Sequence, residues 1–319
     1  MFLTFTPNPC LERTLRLDPF PLGETRRVAA GETFVSAGGK GINAARVAAR
    51  FGAEVLATGP VGRLQSAELS ELAQREGIAS DFVAVDADTR CCLNFLHGDG
   101  EKTEIIESGT AFSDAEGARL LEKWLQHLPR ARLAAIGGAY APGNPASPGH
   151  AAQLCELAGK MGVPLIFDGR GEELQRALNS QSPPWAIKPN LEEAAATLHR
   201  TLETPADERR AVREFLAMGV EIVLLSCGER GLYVGQRGGI EWFEAPRVEV
   251  VSAVGSGDAL VGAFAAHYLQ NGDVLEAARW GVAAGSANAA TSKPAFVGPE
   301  DAAPWLPLVK RTIGTLCES

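Results

Sequence analysis

Several things are missing from this chain of 319 residues, and each absence removes a class of function. There is no run of lysines and arginines, and the formal net charge is −9. Neither nucleic acid nor an anionic membrane surface is therefore expected as a partner. No apolar run approaches the length of a membrane span. The opening MFLTFTPNPC lacks the basic start, apolar core and cleavage site of a signal peptide. The cysteines (Cys10, Cys91, Cys92, Cys155, Cys227, Cys317) form no CxxC pair, and the histidines have no metal-ligand spacing. A disulfide framework or a zinc site is thus not expected; reduced thiols in a cytoplasmic protein are. The GxxxxGK[ST] loop of P-loop kinases is absent too, as are internal repeats and low-complexity linkers.

What is present is an ordinary globular balance, 45% hydrophobic and 22% charged, with two glycine clusters that stand out. The first organises the chain. Residues 250–269 read VVSAVGSGDALVGAFAAHYL: an apolar stretch taken as a strand end, then Gly255-Ser256-Gly257-Asp258, then small and apolar residues at helical spacing. A helix start carries N–H groups without partners and the positive end of the peptide dipoles, and glycines let a ligand approach them. That suits phosphate. Asp258, a carboxylate at the same turn, would be repulsive there unless it accepts a proton from a hydroxyl attacking phosphorus. Read alone, the turn is equally an ordinary helix cap.

The second cluster, Gly38-Gly39-Lys40-Gly41, opens a helix ending near Gly52 and places Lys40 and Asn43 where they could meet hydroxyls. From residue 113 onward strands alternate with helices, at 133–136, 163–167, 185–188 and 221–225, each strand followed by polar or glycine residues, and residues 240–251 read as a further strand or pair. This rhythm predicts an α/β fold: a mostly parallel central sheet covered on both faces, with the ligand site beyond the strand C-termini. Glu12, Gly39, Gly138, Asp168, Asn190, Ser226 and Asp258 are all expected to follow strands and face one crevice. Alternating segments at about 11–35 and 82–107, with a hairpin turn at Gly98-Asp99-Gly100, predict a small β-sheet lid inserted in one domain spanning 1–319. Asn190 and Glu193 also have the spacing of a helix cap and its capping-box partner.

The segments SAGGKGINAARVAARFG (36–52) and VVSAVGSGDALVGAFAA (250–266) resemble the two signatures of the ribokinase-like, pfkB-type family of carbohydrate kinases. TPNPCLE, TRCCLNFLHGDGEKTEI, KPNLEEA and LLSCGERGLYV occur in the order seen in the branch holding 1-phosphofructokinase and tagatose-6-phosphate kinase. The resemblance implies a three-layer α/β/α fold and transfer of the ATP γ-phosphate to a hydroxyl of a phosphorylated ketohexose, with fructose 1-phosphate as the first choice. Tagatose 6-phosphate and fructose 6-phosphate are alternatives. An unphosphorylated sugar or nucleoside, or a non-catalytic sugar or nucleotide sensor, is a weaker one.

By the same resemblance, Asp258 is the catalytic base and Gly255, Ser256 and Gly257 form the anion hole. Asn190 and Glu193 organise Mg2+. Lys188, Ser226, Gly228, Gly231, Ala253, Val254 and Asn288 line the ATP side. Gly38, Gly39, Lys40, Asn43 and Gly138 form the sugar side, Arg90 grips the phosphate already on the sugar, and two subunits pair through the lid as a homodimer. Three acceptor-side positions depart from the family pattern. Glu12 stands where Asp is usual, residues 137–143 replace a serine-rich turn, and Glu107-Ser108-Gly109-Thr110 replaces Glu-Pro-Gly-Pro. The identity of the sugar is open at this point.

Overall fold

Phe2 and Leu3 are chain neighbours that pack into different hydrophobic cores, one on each face of a single sheet. The strand they begin, Phe2–Phe5, is buried along its whole length. That is why it reads as an apolar run broken only by the buried Thr4, rather than as an alternation. The computed structural model describes residues 1–17, 23–97, 101–109, 111–144 and 149–314.

The sheet has ten strands. From one edge they are Ala79–Ser80, Val55–Thr58, Phe2–Phe5, Leu133–Gly137, Leu165–Asp168, Ala186–Ile187 and Ile222–Ser226, every pairing parallel. Gly231–Gln236, Gly239–Glu244 and Lys310–Gly314 then extend it in antiparallel pairing. One core, with Phe2, Ala135, Ile166 and Leu224, is shared with the helices Lys40–Arg50, Ser256–Asn271 and Val274–Ala289. The other, with Leu3, Phe5, Ile136 and Phe167, lies under Asp114–His127, His150–Lys160, Gly171–Leu178 and Pro205–Ala217. The expected layering of helices on both faces is thus observed.

The helix Ser256–Asn271 is unlike the others. It is apolar nearly all round and buried from Asp258 to Ala266. Small residues allow its neighbours to close in: a Cβ on Gly262 would meet the Ala44 carbonyl oxygen at 2.5 Å, and one on Gly281 the Leu260 carbonyl oxygen at 3.0 Å. A helix clamped at such short range holds its first turn still, which matters for anything bound there.

A second sheet of four strands stands apart, in the order Thr33–Gly38, Cys10–Arg16, Arg90–His97, Glu101–Ile106. Its outer pairings are antiparallel, as expected, but the middle pair, Cys10–Arg16 with Arg90–His97, is parallel. The turn Gly98-Asp99-Gly100, Thr110 and Cys317 lie outside the described residues.

Four expectations change. Val83–Val85 does not join the small sheet but pairs in parallel with Pro60–Gly62, where its two valines reach the core under Trp124. Glu12 lies within the strand Cys10–Arg16 rather than after the first strand. The stretch before Gly255 is not a strand: Val251 and Ser252 N–H both donate to the single carbonyl of Ala289 at a helix C-terminus, and Val250 is 56% exposed. Of residues 240–251, only the part in Gly239–Glu244 is a strand. The closing strand Lys310–Gly314 is an addition that its polar sequence does not announce.

Candidate active site

The C-terminal ends of the parallel strands, the two glycine clusters and the small sheet enclose one cleft of about 1220 Å³. An ordinary single-ligand pocket holds roughly 300–1,000 Å³, so there is room for two substrates side by side. Of the residues singled out in the sequence, Glu12, Gly39, Lys40, Asn43, Arg90, Lys188, Asn190, Ser226, Gly228, Gly231 and Ala253 through Asp258 line it. Gly38, Gly138, Asp168, Glu193 and Asn288 are not on its wall.

At the floor, Gly255 is in the left-handed region (φ 79°) and caps the helix Ser256–Asn271. A Cβ there would meet the Ala295 N at 2.9 Å, so only glycine makes this turn without displacement. The Ser256 N–H is used within the turn, donating to the Ala253 carbonyl at 3.2 Å. The N–H groups of Gly257 and Asp258 are first-turn donors with no carbonyl four residues back in the helix. Asn288 braces the turn from behind: its Nδ2 donates to the Val254 carbonyl (2.8 Å) and Ser256 Oγ (3.0 Å), and its Oδ1 accepts from the Ala295 N–H (2.7 Å). Expected beside the nucleotide base, this buried amide has both ends committed to main chain and to Ser256.

The charged groups form a chain. Asp258 Oδ2 accepts from Asn43 Nδ2 at 2.8 Å. Lys40 Nζ lies 3.0 Å from Asp168 and 3.5 Å from Glu193, and Lys188 Nζ lies 3.3 Å from the same Asp168 oxygen. Burial, reinforced by the negative Asp168, lifts the Asp258 carboxyl to about 6, against the opposing pull of Lys40, Asn43 and Lys188. Burial also works to raise Asp168, but the two lysines outweigh it and hold it below the usual carboxylate range. Lys40 is itself pushed up: burial opposes its charge, and Asp168, Glu193 and Asp258 overcome that. A carboxyl raised to about 6 is still mostly ionised near neutrality, and more basic than an ordinary carboxylate, as suits a proton acceptor.

Asn190 and Glu193 cap the helix Leu191–Thr197 reciprocally. Asn190 Oδ1 accepts from the Glu193 N–H at 2.8 Å and Glu193 Oε2 from the Asn190 N–H at 2.9 Å. The other Glu193 oxygen faces Lys40. At the opposite end of the nucleotide side, Gly231 has φ 136° and an added Cβ would run into the Phe243 carbonyl, so the loop after Ile222–Ser226 is shaped by main chain alone.

The end of the cleft toward the small sheet is made of side chains. Asn94 Nδ2 donates to Glu12 Oε1 at 2.8 Å across the parallel strand pair. Arg90 spends Nε and Nη2 on the Asn8 carbonyl (3.2 and 2.9 Å), and Nη1 lies 3.5 Å from the Glu107 carbonyl. Cys10, Cys92, Asn94, Glu104 and Ile106 share this wall. Sequence reasoning did not assign them. The strand alternation Arg90, Cys92, Asn94 was the available signal.

Also unassigned was Arg46, fully buried and paired with Glu76 at 2.7 Å. Leaving such a charge unpaired would cost about 3–5 kcal/mol. Its spacing of three from Asn43 was the only hint. Among the described residues no group of three or more His, Cys, Asp or Glu is placed to hold a metal, and no helix is long and apolar enough to cross a membrane. Cys10, Cys91, Cys92, Cys155 and Cys227 are free thiols.

The family model for pfkB carbohydrate kinases matches residues 8–300. Among solved structures, phosphofructokinase-2 of Escherichia coli in complex with fructose-6-phosphate is 27% identical, with TM-score 0.83 over 97% of this chain and 98% of that one. The same enzyme has a tetrameric inhibited form. A Thermotoga maritima protein described as a possible 1-phosphofructokinase is 23% identical, with TM-score 0.89 over 98% and 99%. Ribokinase of T. maritima is 22% identical, with TM-score 0.73 over 96% and 99%. The last two show the shared ribokinase-like fold.

Proposed function

Because the chain belongs to the pfkB family of carbohydrate kinases, and so transfers phosphoryl groups to an alcohol, we propose that it acts with ATP and Mg2+ on a phosphorylated ketohexose, fructose 1-phosphate before others. The observation that carries the reading is Asp258: a carboxyl raised to about 6, buried in the first turn of a helix whose opening residues, Ser256 to Asp258, line the cleft. Phosphoryl transfer needs little covalent help and mostly positioning and charge neutralisation.

In this reading the acceptor hydroxyl gives its proton to Asp258. The N–H groups of Gly257 and Asp258 hold the migrating phosphoryl group where its charge is spread. Lys188, 3.3 Å from where a Gly257 Cβ would sit, supplies a cation at the same turn. Ser226, Gly228, Gly231, Ala253 and Val254 shape the nucleotide side. Asn190 and Glu193 would hold Mg2+: one carboxylate with one amide, completed by water and phosphate, is a usual protein share for this ion, and binding it would draw on oxygens that here accept from the cap N–H groups and face Lys40. When bound it would neutralise phosphate charge.

On the acceptor side, Arg90 is the cation for a phosphate already on the sugar, and Glu12 with Asn94 receives sugar hydroxyls. Tagatose 6-phosphate and fructose 6-phosphate remain the alternative acceptors; the E. coli relative seen with fructose-6-phosphate supports a phosphohexose in general. We include pairing of two copies through the small sheet, supported by Ile105 and Ile106, which are 52% and 59% exposed on its edge strand.

A coupled ADP-release assay over a panel of sugars and sugar phosphates tests the acceptor. The highest kcat/KM is expected with fructose 1-phosphate. A higher value with another ketohexose phosphate would move the assignment to it. Turnover of unphosphorylated sugars alone would remove the phosphosugar reading, and no turnover at all would favour a sensor.

A further inference from the structure

Behind Asp258 lies an arginine that is fully buried and not on the cleft wall. Arg46 Nη1 donates to Asn43 Oδ1 at 2.7 Å. Its Nε and Nη2 donate to Glu76 Oε2 at 2.9 and 2.7 Å, and Nη2 also reaches the Ala37 carbonyl. The guanidinium lies over the Phe296 ring, 4.4 Å from its centre. Glu76 is tied in turn, its Oε1 accepting from the Ala37 N–H at 3.3 Å. The line Glu76, Arg46, Asn43, Asp258 is therefore continuous, each link a hydrogen bond of 2.9 Å or less.

The middle link is an amide, and an amide has two ends of similar shape and opposite character. A guanidinium only donates. With Arg46 fixed by Glu76, the Asn43 oxygen must face Arg46, and the amide nitrogen is left to face Asp258. We propose that Arg46 is a positioning residue for the reaction: it orients the Asn43 amide so that a donor, not an acceptor, meets Asp258, and so favours the ionised carboxylate that can take the proton of the acceptor hydroxyl. The inference rests on the reading of Asp258 as the proton acceptor.

The direction of the effect follows from charge. A hydrogen bond donated to a carboxylate favours its ionised form. The charged groups facing Asp258 are Asp168, which opposes ionisation, and Lys40 and Lys188, which favour it; Asn43 acts with the lysines against burial. With its amide reversed, Asn43 would present oxygen to oxygen, a contact that is favourable only when Asp258 carries a proton.

The test is Arg46→Met in the full chain, read by carbon-13 NMR titration of the Asp258 carboxyl and by the acid limb of the kcat–pH profile. Both are expected to move upward together by about one pH unit, with the KM for ATP within about twofold of wild type. Arg46→Lys keeps a cation for Glu76 and serves if the methionine variant does not fold; its shift is expected in the same direction and smaller. Adding Asn43→Ala to either variant is expected to give no further shift, since both act through one contact. A purely structural role would lower Tm and leave the titration in place. A folded variant whose Asp258 titration does not move overturns the proposal. Asp258→Asn distinguishes the two readings: wild-type turnover in that variant would remove the base assignment and this inference with it, whereas an inactive Asp258→Asn beside an unmoved titration removes Arg46 alone.

Discussion

The two ends of the cleft are built from different materials. Under the proposed function, the working groups at the phosphoryl end are main-chain N–H donors, and the sequence there is constrained by where a Cβ fits: Gly255 against Ala295, Gly231 against Phe243. At the acceptor end the working groups are side chains on the small sheet, Glu12, Arg90 and Asn94, each reaching in from a strand. Main-chain sites cannot be changed one side chain at a time, and side-chain sites can. Of the three departures from the family pattern, Glu12 lines the cleft at the small-sheet end, while residues 137–143 and 107–109 are not on its wall. In the proposed reading, one end carries the chemistry and the other, where Glu12 departs from the family pattern, the choice of sugar.

That contrast can be broken in order of expected effect. Asp258→Asn removes the proton acceptor and keeps the helix turn. It is expected to cut kcat by about 10³-fold while ATP still binds, measured by turnover and by nucleotide titration. In the wild type only the deprotonated carboxyl accepts a proton. With its value raised to about 6, kcat is expected to fall as pH drops below that point, and an acid limb near pH 4 would contradict the assignment. Arg90→Ala acts on the other end. The KM for a phosphosugar is expected to rise about 10- to 100-fold with that for ATP unchanged. An equal rise for an unphosphorylated sugar would mean that Arg90 meets no phosphate. The smallest effect on turnover is expected from Ile105→Asp, on the exposed edge of the small sheet. It should convert a dimer to a monomer in analytical ultracentrifugation, and a wild-type protein that already sediments as a monomer would remove the pairing.

Much of this arrangement is legible in the chain because its signals are local. The apolar run at 2–5 announces a strand buried on both faces, and Asn190 with Glu193 announces a cap whose two hydrogen bonds are both formed. Gly255-Ser256-Gly257-Asp258 marks a helix start because glycine, cap and first turn are consecutive. The features that escape are those whose partners are distant. Arg46 meets Glu76 thirty positions on, and Asp168 is held by Lys40 and Lys188 from two other elements. The valines before Gly255 look like a strand by composition. They lack one because the neighbouring main chain is a helix end, a fact of tertiary placement.

The parallel pairing inside the small sheet has a consequence for how the molecule assembles. Leu11 lies opposite Cys91, so that pair closes a loop of about 80 residues. A hairpin zips up from its own turn, but these two strands have no such turn. Between them in the chain lie Val55–Thr58, which docks beside Phe2–Phe5, and the rest of an excursion of about 80 residues whose closure carries an entropic cost. Within this sheet the local antiparallel pairing of Cys10–Arg16 with Thr33–Gly38 has a far smaller loop to close than the parallel pairing beside it, so the long-range seam is the slow step to expect in completing it.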